Sequence, residues 1–232
     1  MCTFSVTVEA IPVLGATRFV AFGDSITEGK LATGEPPPVP YPADVMARLT
    51  ARYTTQQFTV QNAGNGAETT SGGVGRLPGV LSATNAEALL LLEGVNDLAP
   101  GDASAISVVI NNLRTMIQQA RSRGVAVFLG TLLPEIPGGS RTGARLLIVP
   151  TNDQIRALAA SQGVTLVDVY QAFSGMETVL IGGDGLHPTV AGYSMIAQTF
   201  FDAIRAKLEV TPTTTLTLSN GPAVPFALRV AR

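Results

Sequence analysis

The chain has 232 residues, 46% of them hydrophobic and 14% charged, which supports the core of one large domain and argues against disorder. A formal net charge of −2 without any Lys/Arg cluster excludes a nucleic-acid binder that works by neutralising phosphates. The single cysteine, Cys2, excludes an intramolecular disulfide and a Cys-based zinc site; the single histidine, His187, argues against His-rich metal sites.

In chain order, residues 2–8 (CTFSVTV) alternate in the manner of a β-strand. No basic region, apolar core and small-residue cleavage site follow one another here, so no signal peptide is expected. Residues 18–22 form a short apolar run ending in Gly23-Asp24-Ser25. A stiff Pro-rich loop spans residues 36–42. Residues 42–53 have helical spacing, with Val45, Met46 and Leu49 on one side, and residues 58–61 read as a second strand. A short helix is expected over residues 77–82 and a third strand over 87–92, ending at Gly94. Residues 103–123 give the clearest helix: Ile106, Val109, Ile110, Leu113, Met116, Ile117 and Ala120 recur at three and four, and Gly124 stops it. The fourth strand is residues 125–129, followed by a Gly/Pro-rich loop at 134–144. A helix at 146–161 is stopped by Gly163, residues 164–169 form the fifth strand, and 189–208 the last long helix, preceded by Pro188. Residues 211–218 are Thr-rich and β-like. No run approaches the ~18 apolar residues that span a bilayer.

Strand followed by helix, about five times over, predicts an α/β fold: a parallel sheet with helices on both faces. Ligands bind such sheets at the carboxyl ends of the strands. Four polar segments fall there: Gly23-Asp24-Ser25-Ile26-Thr27, the loop Asn62 to Thr69, Gly94-Val95-Asn96-Asp97, and Asp184-Gly185-Leu186-His187-Pro188. Together they contain the parts of a hydrolase. A serine hydroxyl needs a base to take its proton, and His187 is the candidate for that role. Asp184, three residues earlier, is placed to hold one imidazole nitrogen while the other faces Ser25. The Ser25 N–H, the Asn96 amide and an N–H in the 64–67 loop are candidate donors to an oxyanion. Each segment alone has a plainer explanation as a turn or helix cap; it is their order and their strand-end placement that favour the chemistry.

These blocks resemble the SGNH hydrolases, or GDSL-type esterases and lipases, over about residues 17–208. The resemblance implies a flavodoxin-like three-layer α/β/α sandwich with a five-stranded parallel sheet. It also implies a Ser25–His187–Asp184 triad, an oxyanion hole that includes Asn96, and no metal or organic cofactor. The second block departs from the family pattern: Ala67 stands where a glycine is usual, which leaves Gly66 or Gly64 as alternatives to Ala67. The expected substrates are small esters or acylated carbohydrates with short acyl chains. A binding or adhesion module that kept the fold and lost the chemistry is the competing expectation. A flavodoxin-like nucleotide binder lacks its Gly-rich phosphate loop here. Residues 16–209 are expected to form the catalytic domain, with a C-terminal extension over 210–232. Residues 1–15 are either an arm packed on that domain or the remnant of a preceding β module, since residues 2–8 resemble the last strand of a hyaline repeat. The remnant would place the protein outside the cell as part of a larger modular chain.

Overall fold

The structure is a computed structural model that describes residues 3–9, 11–211 and 213–219. In chain order its elements are β1 (Thr3–Glu9), β2 (Val13–Leu14), β3 (Arg18–Gly23), α1 (Ser25–Glu28), α2 (Tyr41–Arg52), β4 (Thr59–Gly64), α3 (Thr70–Thr84), β5 (Ala88–Leu92) and α4 (Val95–Leu98). There follow α5 (Ala105–Arg121), β6 (Ala126–Gly130), α6 (Arg145–Gln162), β7 (Thr165–Val167), α7 (Val169–Phe173), α8 (Glu177–Leu180), α9 (Val190–Leu208), β8 (Glu209–Val210) and β9 (Thr213–Ser219).

Five strands make the parallel sheet, in the order β4-β3-β5-β6-β7. This is the flavodoxin-like order, in which the chain steps outward from β3 to β4 and then crosses back to β5. The loops leaving β3 and β5 therefore diverge and open a crevice between their carboxyl ends. The two strands run close there: Gly23 pairs with Leu92, and a Cβ on Gly23 would lie 1.9 Å from the Leu92 carbonyl oxygen. Only glycine fits that position.

The core explains the strand sequences. All five residues of β5 are buried, because a central parallel strand is covered on both faces and has no polar side to alternate with. On one face α2 packs on α9, with Tyr41 and Phe200 stacked at 5.4 Å between ring centres. On the other, α3, α5 and α6 pack in turn, and the apolar stripe predicted for α5 is buried as expected.

Three elements differ from the sequence reading for reasons that the contacts show. The helix expected over residues 77–82 runs from Thr70 to Thr84. Its first half is poor in helix propensity (Gly72, Gly73, Gly75), and tertiary contacts supply the difference. Asp97 accepts from the Thr70 N–H at 2.8 Å and from its hydroxyl at 2.7 Å, capping the helix from α4. Pro78 cannot donate to the Val74 carbonyl, and Gln119 of α5 donates to that carbonyl instead at 3.1 Å. Strand β4 extends to Gly64 because pairing with β3 continues that far, although this edge strand is mostly exposed and polar. Strand β7 stops at Val167, because the Asp168 side chain accepts from the Gln171 N–H and starts α7.

The two β-like ends pair with each other, not with the main sheet. Strands β1 and β9 run antiparallel from Thr3 opposite Ser219 to Glu9 opposite Thr213. Cys2, at the start of the first predicted strand, lies outside the described residues. Among the described residues, no helix is long and apolar enough to cross a membrane.

Candidate active site

Ser25 is the first residue of α1, directly after β3. Asp24 caps that short helix, its carboxylate accepting from the Ile26 N–H at 2.9 Å, and Gly29 ends it at φ +94°. The serine is thereby held on a tight strand-to-helix turn at the crevice. It is only 6% exposed, and its Oγ lies 2.9 Å from His187 Nε2. His187 Nδ1 lies 2.5 Å from Asp184 Oδ2. With Nδ1 donating to the carboxylate, Nε2 presents its lone pair to the serine hydroxyl.

The Asp184–His187 turn is rigid for local reasons. The other Asp184 oxygen accepts from the N–H groups of Leu186 at 3.1 Å and His187 at 3.0 Å, an Asx-type turn that allows a spacing of three. Gly185 turns the chain at φ +86°, and the Gly182 N–H donates to the His187 carbonyl at 2.7 Å. Burial works to raise the Asp184 pKa. The hydrogen bonds from the His187 ring and from the Leu186 and His187 N–H groups outweigh it and hold the carboxyl below its usual range.

The other predicted residues lie on the neighbouring strand-end loops, where the Asn65 N–H donates to the Gly23 carbonyl at 2.9 Å. Asn96, on α4, donates one amide N–H to the Glu68 carbonyl at 2.8 Å, which fixes its rotamer and leaves its second N–H available. The Gly64 N–H is taken by the Asn62 side chain at 2.9 Å, which removes it as a free donor. The N–H groups of Ser25, Gly66 and Ala67 have no protein partner among the described residues. Ala67 has φ +62°, a conformation that costs a residue with a Cβ roughly 1–2 kcal/mol.

Two residues that sequence patterns did not single out stand beside these loops. Arg76 of α3 pairs with Glu68, donates to the carbonyls of Ala63 at 2.8 Å and Gly23 at 3.4 Å, and lies over the Phe22 ring at 4.0 Å. One guanidinium therefore ties the first loop to the second. Glu93 follows the leucine run of β5 and is 2% exposed, with neither carboxyl oxygen hydrogen bonded. It packs against Gly73, where a Cβ would come within 2.5 Å of Glu93 Oε2. Burial, and then the charges of Glu68 and Asp24, push Glu93 up to about 9. Burial likewise pushes Asp24 up to about 7. The signal for both was a lone charge in an apolar or Gly-rich segment.

Such a fold, with a serine, a histidine and a carboxylate in line at its switch point, belongs to the class of serine hydrolases on a flavodoxin-like sheet. Comparison with known proteins makes the assignment specific. Residues 21–195 match the model of the GDSL-like Lipase/Acylhydrolase family, and the chain belongs to that family. The esterase TesA of Pseudomonas aeruginosa is 30% identical over 153 residues, covering 65% of this chain and 72% of TesA. Among solved structures, a lipase/acylhydrolase from Enterococcus faecalis superposes with a TM-score of 0.69 at 25% identity, covering 83% of this chain and 97% of its own. Axe2, an acetylxylan esterase from Geobacillus stearothermophilus, shares the fold with a TM-score of 0.68 at 22% identity, covering 82% and 95%. The protein is a carboxylic ester hydrolase.

Proposed function

We propose that the protein cleaves short-chain esters by a two-step acyl transfer through Ser25. The observation that carries this is the unbroken chain from Ser25 Oγ to His187 Nε2 and from His187 Nδ1 to Asp184. In the first step Ser25 attacks the ester carbonyl while His187 takes its proton. Asp184 orients the imidazole and stabilises its charged form. The Ser25 N–H, the free Asn96 N–H and the Ala67 N–H receive the developing oxyanion; Gly66 is the alternative to Ala67. His187 then protonates the leaving alcohol, and water attacks the acyl-enzyme by the same steps in reverse.

The strain at Ala67 supports its selection over Gly66, because a strained backbone persists where its N–H must point in one direction. The space beside Asn96 supports a short acyl chain. The cleft there, lined by Val95, Ala99, Glu135, Ser140 and Arg141 among others, holds about 240 Å³. That is below the ~300 Å³ at which pockets for drug-sized ligands begin, so it suits a short acyl group or one sugar ring. A fold shared with an acetylxylan esterase accommodates acetylated carbohydrates as the substrate class. Residues 16–209 carry this chemistry, with the paired ends as appendages.

Hydrolysis of p-nitrophenyl esters of increasing chain length, beside Ser25→Ala, tests the proposal. Turnover should fall with chain length and vanish in the variant. Activity that survives Ser25→Ala overturns the mechanism. No activity on any ester would favour a module that binds acylated carbohydrate without cleaving it.

A further inference from the structure

The loop over residues 134–144 is fastened to the turn that carries Asp184. Arg141 donates its N–H to the Asp184 carbonyl at 2.8 Å, and Ile136 donates to the Gly185 carbonyl at 3.0 Å. Gly139 packs so closely that a Cβ would lie 2.1 Å from that Asp184 carbonyl. The position of the loop relative to His187 is therefore fixed by backbone contacts.

This loop lines two adjoining clefts that meet at Glu135. The one beside Asn96 and Leu186 contains Ser140 and Arg141 and holds about 240 Å³; the other contains Arg145 and holds about 310 Å³. Among the described residues, Arg141 and Arg145 are the two arginines whose guanidinium groups have no ion pair and no hydrogen bond. The others, from Arg18 to Arg205, are all engaged. The two exposed guanidinium groups thus line adjoining clefts that share Glu135, the first of them bordered by Asn96 and by Leu186, the neighbour of His187. Glu135, the acid between them, is 8% exposed, and its Oε2 is buried without a partner. Burial pushes Glu135 up to about 7 against the N–H groups of Ala144 and Arg145 and the Arg145 charge, so near neutral pH it offsets the arginines' charge only in part.

We propose that these adjoining clefts bind a carboxylate carried by the substrate, with Arg141 as its main contact and Arg145 as its second, so that the enzyme prefers acidic esters to neutral ones of the same size. The inference rests on the esterase reading and adds a substrate class to it. A planar guanidinium fork matches a carboxylate in two parallel hydrogen bonds. A phosphomonoester would bring a second negative charge towards the ionised Asp184, so the single charge of a carboxylate is the better match. The carboxylate can sit on the acyl half of the ester or on the alcohol half.

The test compares kcat/KM within two matched pairs. Mono-p-nitrophenyl glutarate against p-nitrophenyl valerate places the charge on the acyl half. Acetylated glucuronic acid against acetylated glucose places it on the alcohol half. In at least one pair the acidic member should be preferred, and Arg141→Ala should reduce that preference by about 10- to 100-fold, as expected for a lost charge-assisted hydrogen bond. The change should appear mainly in KM. The pair that responds identifies which half carries the charge. Equal rates within both pairs for the wild type, or a preference that persists in the Arg141→Ala/Arg145→Ala double variant, overturns the inference. If neutral esters are cleaved through Ser25 without any acidic preference, the inference fails and the esterase reading stands. If no member of either pair is cleaved, both fail.

Discussion

Glu93→Gln replaces a buried carboxyl by a group of the same shape that cannot ionise. In the wild type, burial together with Glu68 and Asp24 pushes this carboxyl from 4.5 up to about 9. Between those values the folded protein keeps a proton that the unfolded chain has released. The sign follows: the folded pKa lies above the unfolded one, so stability is undiminished below 4.5 and falls as pH rises towards 9. The slope is about 1.4 kcal/mol per pH unit for one proton. From pH 6 to pH 8 the wild type should therefore lose about 3 kcal/mol more than Glu93→Gln. Asp24, raised to about 7, titrates in both proteins, so the difference between them isolates Glu93. Urea unfolding followed by circular dichroism at pH 6, 7 and 8 measures it. Stability curves that run parallel in the two proteins would show Glu93 already ionised in the folded state, and the account of the buried carboxyl would be wrong.

Asn96→Ala should keep the fold and lose about 10²–10³ in turnover, measured as kcat on a p-nitrophenyl ester; near-wild-type kcat removes Asn96 from the oxyanion site. Ala67→Gly should leave activity intact and change stability by about 0 to +1 kcal/mol, because relief at φ +62° is partly offset by the greater freedom of glycine in the unfolded chain. A clear loss of stability in denaturant unfolding would show that the position is not strained. Asp184→Asn should lower kcat by roughly 10⁴ through the wrong imidazole tautomer, with the structure retained by circular dichroism. The depressed Asp184 pKa adds stability at neutral pH that is lost as pH falls below the usual carboxylate range, so this variant should show a shallower acid transition. Gln119→Leu leaves the Val74 carbonyl opposite Pro78 without a donor but also removes an Oε1 buried without a partner, so it should cost about 1 kcal/mol; an unchanged urea midpoint would contradict that role.

Much of the site was legible because it lies where periodic segments end. Gly23-Asp24-Ser25 and Asp184 to His187 each close an apolar or turn pattern, and the only histidine falls in the last of them. Their plainer explanations also hold: Asp24 does cap α1, and Asp97 does cap α3. Caps and the candidate catalytic residues occupy the same strand-end loops, so one reading did not exclude the other. The first half of α3 was illegible because its glycines oppose helix formation; close packing against Glu93 explains Gly73, and the cap from Asp97 starts the helix. The polar end of β4 was hidden because an edge strand need not be apolar. Arg76, Glu93 and Arg141 have no motif. Their roles depend on which loops the topology brings together, and that is a property of the strand order.

The central claim is that Ser25 is the nucleophile, activated by His187. An alkyl fluorophosphonate, which forms a stable adduct with an activated serine, tests it most directly. After incubation, peptide mass spectrometry should find one adduct per chain, on Ser25, and His187→Ala should abolish it. Ester hydrolysis that continues with Ser25 unmodified, or an adduct on another serine that accompanies loss of activity, would contradict the account.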